Sequence, residues 1–168
     1  MADLNFEVAV TAALNELESE IRESRKNKFF ILEFRKIPLS MPGEPGEFAP
    51  VLDAFTSEHG FKDIGEAWIE VDRDTAARIL IHALSKGLAY GTILMDGDRA
   101  ASLAEKYFAL FEEGLRFFTN GDCVVGSVKT VDGRTVPGFS AITKATLDTG
   151  IVAADSKHIG MLWTWDDD

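Results

Sequence analysis

Ile151-Val152-Ala153-Ala154-Asp155-Ser156-Lys157-His158-Ile159-Gly160-Met161-Leu162-Trp163-Thr164-Trp165 decides how this chain folds. Two apolar runs flank a short polar connection, which predicts a strand pair, 151–154 and 158–165. In the second run Ile159, Met161, Trp163 and Trp165 share one face, with Gly160, Leu162 and Thr164 opposite. That periodicity marks the first set as core. A Trp165 lying past the end of the sheet would instead join the acidic tail 166–168 in an aromatic, anionic patch.

Working outward, the chain is β-rich from residue 115. Asn120-Gly121 and Asp132-Gly133 are hairpin dipeptides, predicted to join strands 115–119, 123–131 and 134 onward. Pro137-Gly138 suggests a bulge or an edge position. The N-terminal half is mixed. Phe6, Val10, Ala13, Leu14, Leu17 and Ile21 recur at helical spacing, predicting a helix over 4–25 capped by Asp3. Arg22, Arg25 and Lys26 then complement the negative end of its dipole. A strand follows at 29–37, with Phe30, Leu32 and Phe34 on one face.

Pro38, Pro42, Pro45 and Pro50, with Gly43 and Gly46 between them, make 38–50 an exposed loop and a candidate binding arm. A short helix at 51–55 and a strand at 64–71 come next. Ala76, Ile79, Leu80, Ala83 and Leu84 then trace a helix capped by Asp72 or Asp74 and ended by Gly87. Residues 88–95 read as a strand or an extended connection. A third long helix covers 98–113, capped by Asp96 or Asp98 and ended by Gly114. The fold class is α+β: one domain, 1–168, with a mainly antiparallel sheet, a C-terminal β-meander and about three helices packed on one face.

A chain of 168 residues buries roughly 70% of its unfolded surface without help from a metal or disulfide. Cys123 is the sole cysteine, so an internal disulfide is impossible and a reducing compartment is the natural setting. Residues 1–7 lack the basic and apolar regions of a secretory leader, and no apolar run approaches the roughly 20 residues a membrane helix needs. A cytoplasmic location, without membrane contact, is the expectation.

The formal charge of -11 is gathered into two stretches. Residues 38–72 hold Glu44, Glu47, Asp53, Glu58, Asp63, Glu66, Glu70 and Asp72 against Lys62 alone. Residues 148–168 hold Asp148, Asp155, Asp166, Asp167 and Asp168 against Lys157 alone. Nucleic acid needs a basic footprint, so it is disfavoured as a partner. A localised negative field instead steers cationic partners.

Signatures of catalysis are absent from the sequence. It contains no glycine-rich phosphate loop, no Gly-x-Ser-x-Gly elbow and no paired metal ligands. His59, His82 and His158 are far apart in the chain, and Asp96-Gly97-Asp98 reads as a helix start rather than a calcium loop. No metal and no cofactor are expected. The most plausible nucleophile is Cys123, with His158 as base and Asp155 to orient it, but nothing local activates that thiol. Glu66 and Glu70 flank Trp68 on one strand face, and nothing in the sequence desolvates either carboxyl for acid–base work.

Trp68 carries the functional reading. With Ala67, Ile69 and Val71 toward the core, it would stand outward among acids as an anchor for a basic partner. The alternative is burial beneath the Pro-rich loop or a helix. The sequence therefore predicts a small acidic protein-binding module, an inhibitor or immunity-type neutraliser of a basic protein. Its contact residues would be Glu44, Glu47, Glu66, Trp68, Glu70, Trp165 and Asp166. The competing prediction is an enzyme or small-ligand binder with a site around Cys123 and His158.

Overall fold

The computed structural model describes residues 5–37, 47–121 and 140–166, together with the backbone of 128–131 and 134–137. Among these, the strands are β1 (Glu7–Val8), β2 (Phe30–Lys36), β3 (Ile69–Val71), β4 (Arg116–Thr119), β5 (Val128–Val131), β6 (Arg134–Pro137), β7 (Leu147–Ala154) and β8 (His158–Asp166). The helices are α1 (Ala12–Ser24), α2 (Phe48–Ser57), α3 (Arg73–Ser85) and α4 (Gly97–Phe108). Six strands form one sheet in the order β1-β2-β8-β7-β4-β3, every pair antiparallel. The architecture is the expected α+β, with β4, β7 and β8 as the meander.

The quoted stretch forms the centre of that sheet. β7 and β8 pair from Leu147↔Asp166 to Ala154↔Ile159. Asp155 closes their turn: its carboxylate accepts the backbone N–H groups of Lys157 (2.8 Å) and His158 (2.6 Å), and also that of Glu112 (2.6 Å). Burial alone would raise the Asp155 pKa, but those three bonds outweigh it and hold the carboxyl below its ordinary range.

Strand alternation sends side chains to two faces, and both are covered. Phe30, Leu32, Phe34, Phe117, Ile151 and Leu162 face α1, α3 and α4. The helical stripe on α1 (Leu14, Leu17, Ile21) and that on α3 (Ile79, Leu80, Leu84) close this core as their periodicity requires. On the opposite face Phe118, Val152, Ile159, Met161 and Trp163 meet Phe48, Leu52 and Phe55 of α2. Three helices therefore pack on one face as expected, and α2 is a fourth that covers the other.

Local readings shift at several boundaries. The first helix starts at Ala12 rather than residue 4, because Thr11 is the N-cap and accepts from the Leu14 N–H (3.0 Å). Residues before it make β1 and bury Phe6 on the α2 side. Arg25 is not a surface charge at a helix end. It is 2% exposed, donates to the Ala83 and Leu84 carbonyls at the end of α3, and has its pKa lowered to about 10 by burial. The predicted loop 38–50 lies outside the described residues up to 46. Its last residues enter α2, with Glu47 at the N-cap and Pro50 in the first turn, where a missing N–H is harmless.

Predicted strand 64–71 shrinks to β3, preceded by a 3₁₀ turn at Gly65–Ala67. Residues 88–95 form no strand beyond a single bridge, Lys86↔Ile93. Helix α4 ends at Phe108, short of residue 113. β4 and β5 do not pair, so Asn120-Gly121 is not the turn of a hairpin between them: β4 lies between β7 and β3, while β5 pairs with β6.

Candidate binding groove between α2 and the β3 edge

Helix α2 sets the groove. Phe48, Leu52 and Phe55 at spacings of four and three place an apolar stripe against the sheet. On an adjacent side of the helix Asp53 reaches the chain beyond it. Its carboxylate accepts from the N–H groups of Ile64 (3.0 Å) and Gly65 (3.0 Å) and from Trp68 Nε1 (2.8 Å). Gly65 has φ of 51°, a left-handed conformation that a side chain resists. One carboxylate thus holds the 3₁₀ turn and orients the indole.

Trp68 meets Trp163 edge-on, with centroids 6.0 Å apart and planes at 74°. Trp163 is fully buried and donates Nε1 to Asp148 (3.2 Å). It lies over Gly150, where an added Cβ would sit 2.3 Å from the Leu162 carbonyl oxygen and 2.7 Å from Trp163 Cα. Trp68 is therefore half-buried beside α2, not standing free. Of the expected inward set, Val71 packs against the helix-side core, but Ile69 is 47% exposed, because β3 is the last strand of the described sheet.

What remains open is a cavity of about 320 Å³ floored by Phe48, Leu52, Phe118 and Trp68 and rimmed by Glu66 and Glu70. A neighbouring depression of about 480 Å³ continues past Glu66 toward Asp53 and Asp63. At one wall the chain supplies its own cation. Arg116 lies 3.8 Å from the Phe48 ring centroid and binds Glu70 through two nitrogens, at 2.7 and 2.8 Å. The Glu70 hydrogen bond raises the Arg116 pKa. Glu66 and Glu47, by contrast, are exposed and make no hydrogen bond or ion pair with a described residue.

The groove brings together Glu66, Trp68 and Glu70, with Glu47 at the start of the same helix. Glu44 lies outside the described residues. Trp165 and Asp166 belong elsewhere, on β8, which β7 and β4 separate from β3 in the sheet. Trp165 is partly buried and stacks on Phe29 (6.4 Å, 26°), and Asp166 accepts the Ala89 N–H (3.1 Å). Asp148 and Asp155, at 0% and 2% exposure, are internal and add nothing to an anionic surface. The described acids of the second stretch, Asp148, Asp155 and Asp166, thus each accept hydrogen bonds within the fold.

Cys123 lies outside the described residues. His158 sits at the β7–β8 turn, stacked on Phe34 (5.0 Å) with Nδ1 3.4 Å from Asp155. The last described residue before Cys123, Gly121, stands at the other end of β4, beside Asn120, which bonds Asp148. Among the described residues no group of three His, Cys, Asp or Glu side chains is placed to hold a metal, and no helix is long and apolar enough to cross a membrane.

Phe48, Asp53, Arg116 and Phe118 were not legible as site residues. The one available signal was the Phe48, Leu52, Phe55 spacing, which the surrounding prolines masked. Comparison with protein-family models, curated proteins and solved structures finds no match for this chain.

Proposed function

We propose that this protein is an acidic binding module that docks onto a basic protein surface, in the manner of an inhibitor or immunity-type neutraliser. The observation that carries the reading is the α2–β3 groove: an aromatic floor beside carboxylates, one of which, Glu66, has no cationic partner among the described residues. Negative rim charge accelerates encounter with a cationic partner, and the aromatic floor supplies apolar contact that prolongs the complex. Nucleic acid would be repelled by the same field. A cytoplasmic setting fits the solitary cysteine.

The test uses Glu47→Gln/Glu66→Gln, which removes two exposed charges that hold no structural bond among the described residues. Wild type and variant are immobilised, exposed to native extract at low salt and eluted with a rising salt gradient. Basic proteins retained by the wild type should elute from the variant at lower salt. Identical retention of the same proteins on both would refute steering by this rim.

A further inference from the structure

Resting on that reading, we infer that the partner is engaged through an extended segment with alternating apolar and arginine residues, added as a strand to the free edge of β3. Three observations on the fold converge on this mode. First, β3 ends the sheet: it pairs with β4 on one side, and no described strand lies on the other. In an antiparallel ladder every second residue turns its N–H and C=O away from its partner, so this edge presents unpaired backbone groups. No backbone hydrogen bond from Ile69, Glu70 or Val71 reaches any described residue outside the sheet.

Second, the two faces of β3 differ in chemistry. Glu70 points to the α2 face beside the groove, whereas Ile69, 47% exposed, points to the other. Strand alternation in an added segment would set every second side chain over the groove and the intervening ones beside Ile69. Basic residues suit the first row and apolar residues the second. Main-chain bonds at such an edge give affinity and the alternating side chains give specificity.

Third, the groove already accommodates a guanidinium. The Arg116 guanidinium carbon lies 3.8 Å from the Phe48 ring centroid, and Glu70 binds the same group through two nitrogens. That combination of stacking and a forked carboxylate bond favours arginine over lysine. Trp68, with a Glu66 that pairs with no cation among the described residues, offers a second guanidinium a ring face and a carboxylate elsewhere on the cavity lining.

The probe is a blocked pentapeptide of alternating valine and arginine, titrated into the isotopically labelled full chain at low salt. A second peptide has the same side chains with alternate backbone nitrogens methylated, which removes ladder donors and keeps the charge. The expected result is that the amides of Ile69, Glu70 and Val71 shift, that methylation weakens binding about tenfold or more, and that Glu66→Gln also weakens it. Equal affinity for both peptides, lost in Glu66→Gln, would overturn strand addition and leave the cationic groove standing. Binding of neither peptide would overturn the strand proposal, while the salt-gradient retention experiment judges the acidic rim independently.

Discussion

Replacing Asp148 by Ala should cost more stability than any surface substitution in this chain. The carboxylate is fully buried near the start of β7. It accepts from Asn120 Nδ2 (2.8 Å), the Ile142 N–H (3.1 Å), the Thr143 N–H (2.9 Å), Thr143 Oγ1 (2.7 Å) and Trp163 Nε1 (3.2 Å). These donors come from three separated segments, so one side chain ties the end of β4, the 140–143 connection and β8 to β7. Alanine would remove the side-chain acceptor from all of them, with Asn120 Nδ2 keeping the Ser140 carbonyl (2.9 Å). Each buried donor left unpaired costs about 1–3 kcal/mol, although water entering the vacated space can satisfy some of them. A net loss of about 3–5 kcal/mol follows, as for other disrupted buried charge networks. At roughly 2–4 °C per kcal/mol for a domain of this size, the melting midpoint should fall by about 6–20 °C. Asp148→Asn keeps one acceptor but turns an N–H₂ toward donors, and should cost about 1–3 kcal/mol. Thermal melts followed by circular dichroism, alongside tryptophan fluorescence reporting on Trp163, measure both. An Asp148→Ala melt within about 1 °C of wild type would refute the assignment of Asp148 as the hub of this face.

Other perturbations test neighbouring parts of the same reasoning. Gly150→Ala drives a Cβ to within 2.3 Å of backbone, where no side chain can swing aside, so about 3 kcal/mol or more should be lost in urea unfolding. Asp53→Ala frees the 3₁₀ turn and the Trp68 indole; it should cost about 2 kcal/mol and shift Trp68 emission to the red, and unchanged emission would argue against this anchoring. His59 packs edge-on to Phe55, and burial chiefly pushes its pKa below the ordinary 6.5, with Glu33, Arg35 and Glu58 nearby. The unfolded chain then binds the proton more readily, so this group's contribution is intact above about 6.5 and is lost as pH falls through the lowered folded value. Urea midpoints between pH 8 and 5 should decline more steeply in wild type than in His59→Phe; parallel declines would exclude His59 as a source.

Several elements were open to reading because their signal is contained within one or two turns of chain. Leu14, Leu17 and Ile21 on α1, and Ile79, Leu80 and Leu84 on α3, show their buried stripes directly, and each is in the helix-side core. Ile159, Met161 and Trp163 likewise sit inward as alternation demands. Trp68 was different. Alternation over 64–71 would share a face among Glu66, Trp68 and Glu70, but a 3₁₀ turn replaces the first part of that strand, and Trp68 at its end packs on the α2 side. Glu66, Trp68 and Glu70 were legible as neighbours, whereas the Phe48, Asp53, Arg116 and Phe118 that complete their groove come from other elements.

Sequence by itself determined the fold class, the long helical stripes and the antiparallel pairing of the last two strands, since these depend on side-chain period and short connections. Tertiary structure decided where the charge goes. Counted along the chain, Asp148 and Asp155 look like surface acids; folded, both are internal acceptors for N–H groups on other segments. Whether a carboxylate faces water or backbone depends on contacts between residues tens of positions apart, which composition and periodicity do not encode.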